Sequence, residues 1–274
     1  MRDAADLRAF EHQLDRVGAG GADHLVISGD LLDRWRPRLL SDALGALSAH
    51  SLLAPARLSI VHGNHDLTSS GAHPRSRADL PRLLFRAWDP PPLVAARRRR
   101  FYAAIERKAP GVAAAAPFAK HLDAVTIATI DSVAVPWIPF RVRDGVIQLR
   151  HAAGCVRDAE IDGLTRAPAA GPVILVMHHY PLPVVPYRWP NAKVDVLMEI
   201  PEDDRRKLWA AARTLGVRLV LCGHIHRARL EWHDGIAVGL QGQSGAGWAG
   251  RPIAWYEVPA NGNVTMTLET TSLR

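Results

Sequence analysis

Cysteine is nearly absent: Cys155 and Cys222 are the only two in 274 residues. That scarcity excludes a disulfide framework and a thiolate metal cluster, and it leaves Cys222 as a small buried residue. Long apolar runs are missing as well. Nothing reaches the roughly 18 consecutive apolar residues of a membrane-spanning helix, and Met1 to Asp6 lacks the apolar stretch of a signal peptide. The expectation is a soluble, cytoplasmic protein with no membrane partner. Acidic residues are the scarcer charge, 27 against 34 basic ones, for a net charge of +7. An excess of that sign favours an anionic partner such as a phosphate ester, a nucleic acid or a lipid head group. It is mostly arginine in an alanine- and proline-rich chain, however, so composition bias would produce it equally well. It locates no site.

What is present is material for one α/β domain, since 274 residues with 48% hydrophobic composition can bury a substantial core. Four short apolar runs stand out by the polar groups at their carboxyl ends. Leu25-Val26-Ile27-Ser28 leads into Gly29-Asp30-Leu31-Leu32-Asp33, and Leu58-Ser59-Ile60-Val61 leads into His62-Gly63-Asn64-His65-Asp66. Val173 to Met177 leads into His178-His179, and Val217 to Leu221 leads into Cys222-Gly223-His224-Ile225-His226. Short apolar runs bounded by polar turns read as buried strands. Open α/β sheets place their ligand sites at the carboxyl ends of strands, which is where each of these runs delivers oxygen or imidazole groups. One His-x-His pair is weak evidence. Four such endings in one chain make four unrelated surface turns an improbable account.

These residues resemble the calcineurin-like metallophosphoesterases, whose blocks run Asp-x-His, Gly-Asp-x-x-Asp, Gly-Asn-His-Asp/Glu, a strand-terminal His, and Gly-His-x-His. The last four stand here in order from Gly29 to His226, and the Asp-x-His block is absent. The resemblance implies a four-layer α/β/β/α sandwich with two mixed sheets, its first strand apparently missing. It also implies hydrolysis of a phosphoester by metal-activated water. Two divalent transition metal ions are expected, of the Mn, Fe, Zn or Co kind that nitrogen and oxygen ligands suit. By resemblance, Asp30, Asn64, His178 and His224 hold one of them, while Asp30 and His226 hold the other together with the absent Asp and His. One site is thus expected to be incomplete, through a start placed too late, a truncation, or true loss with weak or no activity.

His65, followed at once by Asp66 as the group to fix its tautomer and raise its pKa, suits donation of a proton to the leaving-group oxygen, and the resemblance implies the same role. Asp33 is expected behind a ligand histidine, orienting it, and Arg34 and His179 are candidate substrate contacts. His178 is preferred to His179 as ligand because of its distance to the following proline in similar sequences. The string His178-His179-Tyr180-Pro181-Leu182-Pro183 looks like the cyclic-nucleotide phosphodiesterase branch, so the first expectation is a small phosphodiester such as a cyclic nucleotide. A nuclease is less favoured. A non-catalytic binding or scaffold protein on the same fold is the alternative from another class.

The remaining expectations are coarser. Helices are expected over Asp3 to Val17, Pro37 to His50, Ala95 to Lys108, Arg157 to Leu164 and Asp203 to Leu215. Asp3, Asp6, His12 and Asp15 read as a solvated helix face, as does the run Arg97 to Arg100. Residues 1–274 read as a single domain, with a helical insertion at about 69–120 that overhangs the site. Strands are expected at Asp123 to Ser132, Val142 to Arg150, Arg229 to Trp232, Ile236 to Leu240, Ile253 to Val258 and Val264 to Glu269, with a substrate-facing loop from Pro183 to Asn191 and a glycine-rich connection from Gly239 to Gly250.

Overall fold

A computed structural model describes residues 1, 3–68, 89–123, 125–138, 140–150, 152–166, 171–188, 193–241, 250–259 and 263–271. The helices are α1 (Ala4–Ala19), α2 (Pro37–Ala49), α3 (Pro91–Lys108), α4 (Asp158–Arg166) and α5 (Glu202–Thr214). Local chemistry fixes their starts. The Asp3 carboxylate accepts from the backbone N–H groups of Ala5 and Asp6 at 2.9 and 3.1 Å, which caps α1. Proline opens α2 and α3, where a missing N–H costs nothing.

Six strands form the larger sheet, in the order β11 (Arg229–His233), β12 (Ile236–Leu240), β10 (Val217–Cys222), β7 (Val173–Val176), β4 (Thr126–Thr129) and β3 (Phe118–His121). Its four inner strands run parallel, and β11 and β3 close the two edges antiparallel. β1 (Leu25–Ser28) and β2 (Leu58–Val61) pair in parallel as a second, two-stranded sheet, and β13 (Gly250–Glu257) pairs with β14 (Thr265–Thr271) as a hairpin. A four-stranded sheet in the order β5 (Phe140–Arg143), β6 (Val146–Leu149), β9 (Val194–Val196) and β8 (Tyr187–Arg188) lies beside Ala152 and Gly154.

Period-2 alternation sorts the strands into layers. Leu58 and Ile60 of β2 pack with Leu14 of α1, Leu40 and Leu44 of α2 and Phe101 of α3. Val26 and Val61, pointing the other way, pack against Ile127, Ile174, Val176, Leu219 and Leu221 of the large sheet. The opposite face of that sheet, through Leu175, Val220 and Val238, packs on Leu208, Trp209 and Ala212 of α5. The order is therefore helix, sheet, sheet, helix, as the motifs imply. The smaller inner sheet is divided, with β1 and β2 separate from β13 and β14. A cavity of about 1780 Å³ runs beside β1, lined by residues of α1, the inner face of the large sheet and β13 and by Asp30, His65, His224 and His226.

Three expectations are corrected. Helix α3 does not overhang the site: Val94, Phe101, Tyr102 and Ile105 bury it in the core beside α2, and positions 69–88 of the expected insertion lie outside the described residues. The arginine run is not one solvated face, because Arg97 bonds to Asp89 and to the Leu67 carbonyl and Arg98 reaches Asp131, leaving Arg99 and Arg100 in solvent. Asp6 is buried at 5% exposure. Within the loop expected from Pro183 to Asn191, Tyr187 and Arg188 form an edge strand, and the glycine-rich stretch 242–249 lies outside the described residues. No helix among the described residues is long and apolar enough to cross a membrane.

Candidate metal centre

The four strands singled out by the sequence lie with their carboxyl ends together, β1 and β2 in one sheet and β7 and β10 in the other. The backbone turns sharply as it leaves β1 and β10. Asp30, His224 and His226 all hold positive φ, at 54°, 69° and 54°. Non-glycine residues seldom adopt that region, and strained backbone of this kind gathers where function requires it. The turns are packed so closely that two glycines are required. A Cβ on Gly63 would stand 2.1 Å from Asp30 Oδ1 and 2.6 Å from the Asp30 nitrogen, and one on Gly29 would meet His178 Nδ1 at 2.5 Å.

His178 is the centre of the group. Its Nδ1 lies 2.9 Å from the carbonyl of Ser28. A carbonyl only accepts, so Nδ1 carries the proton and the neutral ring presents a lone pair at Nε2. Around that atom stand Asn64 Oδ1 at 3.0 Å, His224 Nδ1 at 3.2 Å and Asp30 Oδ2 at 3.4 Å. Each can act as an acceptor, and a knot of buried lone pairs at such separations is stabilised by a cation among them. The second nitrogen of His224, Nε2, is buried without a hydrogen-bond partner among the described residues. Carboxylate, amide oxygen and imidazole together fit a divalent transition metal better than calcium.

The electrostatics agree. Burial alone would raise the Asp30 pKa, but His178 and His65 outweigh it and hold the carboxyl well below its usual range. Burial would lower the His178 pKa, and Asp30 reverses it, so the ring is shifted upward. Each group thus favours positive charge beside Asp30. Burial, reinforced by His179 and His178, holds His224 far below the ordinary imidazole range and keeps it neutral with a lone pair to offer. Burial and the neighbouring His178 lower His179 to about 3. His178, His179 and His224 form a buried cluster with possible ligand atoms within 4.8 Å of one another.

His65 sits at the rim. Its backbone N–H donates to Asp30 Oδ1 at 3.0 Å, and its Nδ1 lies 3.0 Å from the carbonyl of Asp33. Nδ1 therefore carries a proton, and Nε2 is the free end of the ring. Adjacency suggests Asp66 as the partner that fixes this ring, and the structure corrects that: the orienting group is the Asp33 main chain. Asp66 is fully buried and its two oxygens accept from the Leu32 and Gly63 N–H groups at 2.7 and 2.8 Å. Burial, then the charge of Asp30, raises its pKa against those two bonds. It ties the turn after β1 to the turn after β2. His226 lines the same cavity as Asp30, His65 and His224. Arg34 is exposed on the turn before α2.

Sequence reasoning missed one buried group. Ser132, just beyond β4, accepts from the N–H groups of His178 and His179 at 3.2 and 2.9 Å. Its signal was available, since it too comes just after a strand that ends at this edge of the sheet. The indole N–H of Trp209 holds the same segment from the far side, donating to the Pro181 carbonyl at 3.2 Å.

Comparison with known proteins adds the family. The crystal structure of phosphopantetheinyl hydrolase (PptH) from Mycobacterium tuberculosis is similar over 86% of this chain and 87% of that one, with 14% identity and a TM-score of 0.46. A Staphylococcus aureus protein assigned as a 5'-nucleotidase is similar over 96% of this chain but 48% of its own length, with 12% identity and a TM-score of 0.43. No curated protein sequence matches the chain. The model of the calcineurin-like phosphoesterases matches residues 3–228, which takes in every turn described above, and the chain belongs to that family.

Proposed function

We propose that the chain is a metal-dependent phosphoesterase acting on a small phosphodiester, with a cyclic nucleotide as the first candidate. The observation that carries this is the convergence of Asp30, Asn64, His178 and His224 from four strand ends, with His65 beside them. Asp30 would be shared between two cations, with Asn64, His178 and His224 on one and His226 on the other. Divalent ions bound there supply an activated water and offset charge on the phosphoryl oxygens. The protein's own groups arrange the rest. The His65 N–H fixes one oxygen of Asp30 and leaves the other for the cluster. The Asp33 carbonyl holds His65 with Nε2 outward, and it stabilises the ring when both nitrogens are protonated. From that position His65 gives a proton to the departing oxygen. Choice of a phosphodiester rests on the likeness of the His178 to Pro183 string to cyclic-nucleotide phosphodiesterases.

The test compares the chain and His65→Ala for metal content and for Mn-dependent hydrolysis of bis-p-nitrophenyl phosphate, p-nitrophenyl phosphate and cyclic AMP. A nitrophenolate leaves without a proton and a ribose alkoxide does not. His65→Ala should therefore keep its metal and lose on the order of 10² to 10⁴-fold in kcat on cyclic AMP, with a much smaller loss on the nitrophenyl ester. Equal losses on both would remove His65 from the proton-donor role. Metal binding without hydrolysis of any of the three would leave a binding protein on an enzyme's fold.

A further inference from the structure

Two adjacent histidines end β7, and geometry alone would let both join His224 around a metal. The hydrogen-bond count at Ser132 separates them. Ser132 is buried at 1% exposure, and its Oγ accepts from two backbone N–H groups, those of His178 and His179. A hydroxyl oxygen has two lone pairs, so its acceptor capacity is filled. The third neighbour of Oγ is His179 Nδ1, at 3.1 Å. Were Nδ1 to carry a proton, Oγ would have to accept a third bond while its own hydrogen went without an acceptor. The arrangement that leaves the fewest groups unsatisfied has the Ser132 hydroxyl donating to an unprotonated Nδ1. His179, neutral and wholly buried, then carries its proton on Nε2. That nitrogen is buried without a hydrogen-bond partner among the described residues.

Both nitrogens of His179 are then committed, one as acceptor from Ser132 and one as N–H, and neither offers a lone pair. His178 is in the opposite state, with Nδ1–H on the Ser28 carbonyl and Nε2 open toward Asp30, Asn64 and His224. We infer that Ser132 is a positioning residue that holds His179 out of the ligand set and, by gripping both backbone N–H groups, pitches His178 alone into it. The surrounding backbone is shaped to keep His179 in this place. Gly154 lies so close that a Cβ there would stand 2.7 Å from His179 Cγ and 2.7 Å from Ile200 Cγ1. The Ser132 carbonyl accepts from the Cys155 N–H at 3.0 Å, which fixes the serine's own backbone.

This inference rests on the metal reading of the cluster, and the experiment separates the two. The full chain, labelled with ¹⁵N at histidine, is examined by two-bond ¹H–¹⁵N NMR without metal and then with one equivalent of Zn²⁺. The expected spectrum shows His179 with an unprotonated Nδ1 and a protonated Nε2 in both conditions, while the His178 Nε2 and His224 Nδ1 resonances move on adding Zn²⁺. A protonated Nδ1, or movement of either His179 nitrogen with Zn²⁺, overturns the inference while leaving the metal site standing. No movement at His178 and His224 sinks the metal reading and this inference with it. Ser132→Ala should mix the two His179 tautomers and weaken Zn²⁺ binding by about tenfold, and Ser132→Thr, which keeps the hydroxyl, should restore both. Unchanged tautomer and affinity in Ser132→Ala would overturn the role given to Ser132. If that variant does not fold, the wild-type spectra decide alone.

Discussion

Asp66 and His65 are neighbours in sequence and perform separate tasks. The Asp66 carboxylate satisfies two buried backbone donors, at Leu32 and Gly63, from turns that belong to different strands. Replacing it by alanine leaves both N–H groups without an acceptor, at about 1 to 3 kcal/mol each. Asp66→Ala should therefore lower unfolding free energy by about 2 to 5 kcal/mol, read as a fall in urea midpoint, whereas His65→Ala at the rim should stay within about 1 kcal/mol of the parent. An unchanged midpoint in Asp66→Ala would show that water can replace the carboxylate in both bonds. The candidate ligands stand out in the chain because each comes within a few residues of the end of its own apolar run. The partner of His65 does not. Consecutive residues in a turn send their side chains in different directions, and the group that reaches His65 is a carbonyl 32 positions away. A main-chain oxygen has no letter in the sequence.

Elements are joined by a second buried aspartate. Asp131, beyond β4, lies 3.1 Å from His62 Nε2 at the end of β2, 3.0 Å from Arg98 of α3 and 2.7 Å from Arg157 at the start of α4, and it accepts from the Val133 N–H at 2.8 Å. Burial would raise its pKa, and His62, Arg98 and Arg157 outweigh that and hold it well below the usual carboxylate range. A carboxyl depressed in the folded state contributes stability that is present above its unfolded pKa, about 3.9, and is lost as pH falls below that value. Asp131→Asn should cost about 3 to 5 kcal/mol at pH 7, as removal of one buried partner does, and its stability deficit relative to the parent should narrow as pH is lowered from 4 to 2. Chemical denaturation of both chains across that range checks it; a constant deficit would mean that the charge of Asp131 contributes nothing. Helix α3 shows how such a hub hides in a sequence. Its four consecutive arginines look uniformly solvated, but a helix turns 100° per residue, so Arg97 and Arg98 face inward while Arg99 and Arg100 do not. Short strands were the other loss. β3, β8 and β9 have four, two and three residues, too few to establish a period.

At the scale of the molecule, the candidate ligands bridge the two inner sheets. Asp30 and Asn64 extend from β1 and β2, whereas His178 and His224 extend from β7 and β10, and β1 carries no hydrogen-bonded partner strand other than β2 among the described residues. The ligand turns could be placed from the sequence because they are local. Which strands share a sheet could not, because that depends on pairing over long separations, such as β1 with β2 across 33 positions. A cation held by all four groups would add a cross-link between sheets that also meet through apolar side chains such as Val26, Val61, Ile174 and Leu221 and through the Ser28–His178 and His62–Asp131 contacts. Ligand at 100 times its Kd stabilises the folded state by about 2.7 kcal/mol. In a chain of this size each kcal/mol moves Tm by about 2 to 4 °C. Saturating Mn²⁺ should therefore raise Tm by roughly 5 to 10 °C, EDTA should reverse the shift, and His178→Ala should abolish it, since that ring touches the other three ligands. A shift that survives in His178→Ala would place the ion elsewhere on the protein, and no shift in the parent chain would mean that these four groups do not close on a metal.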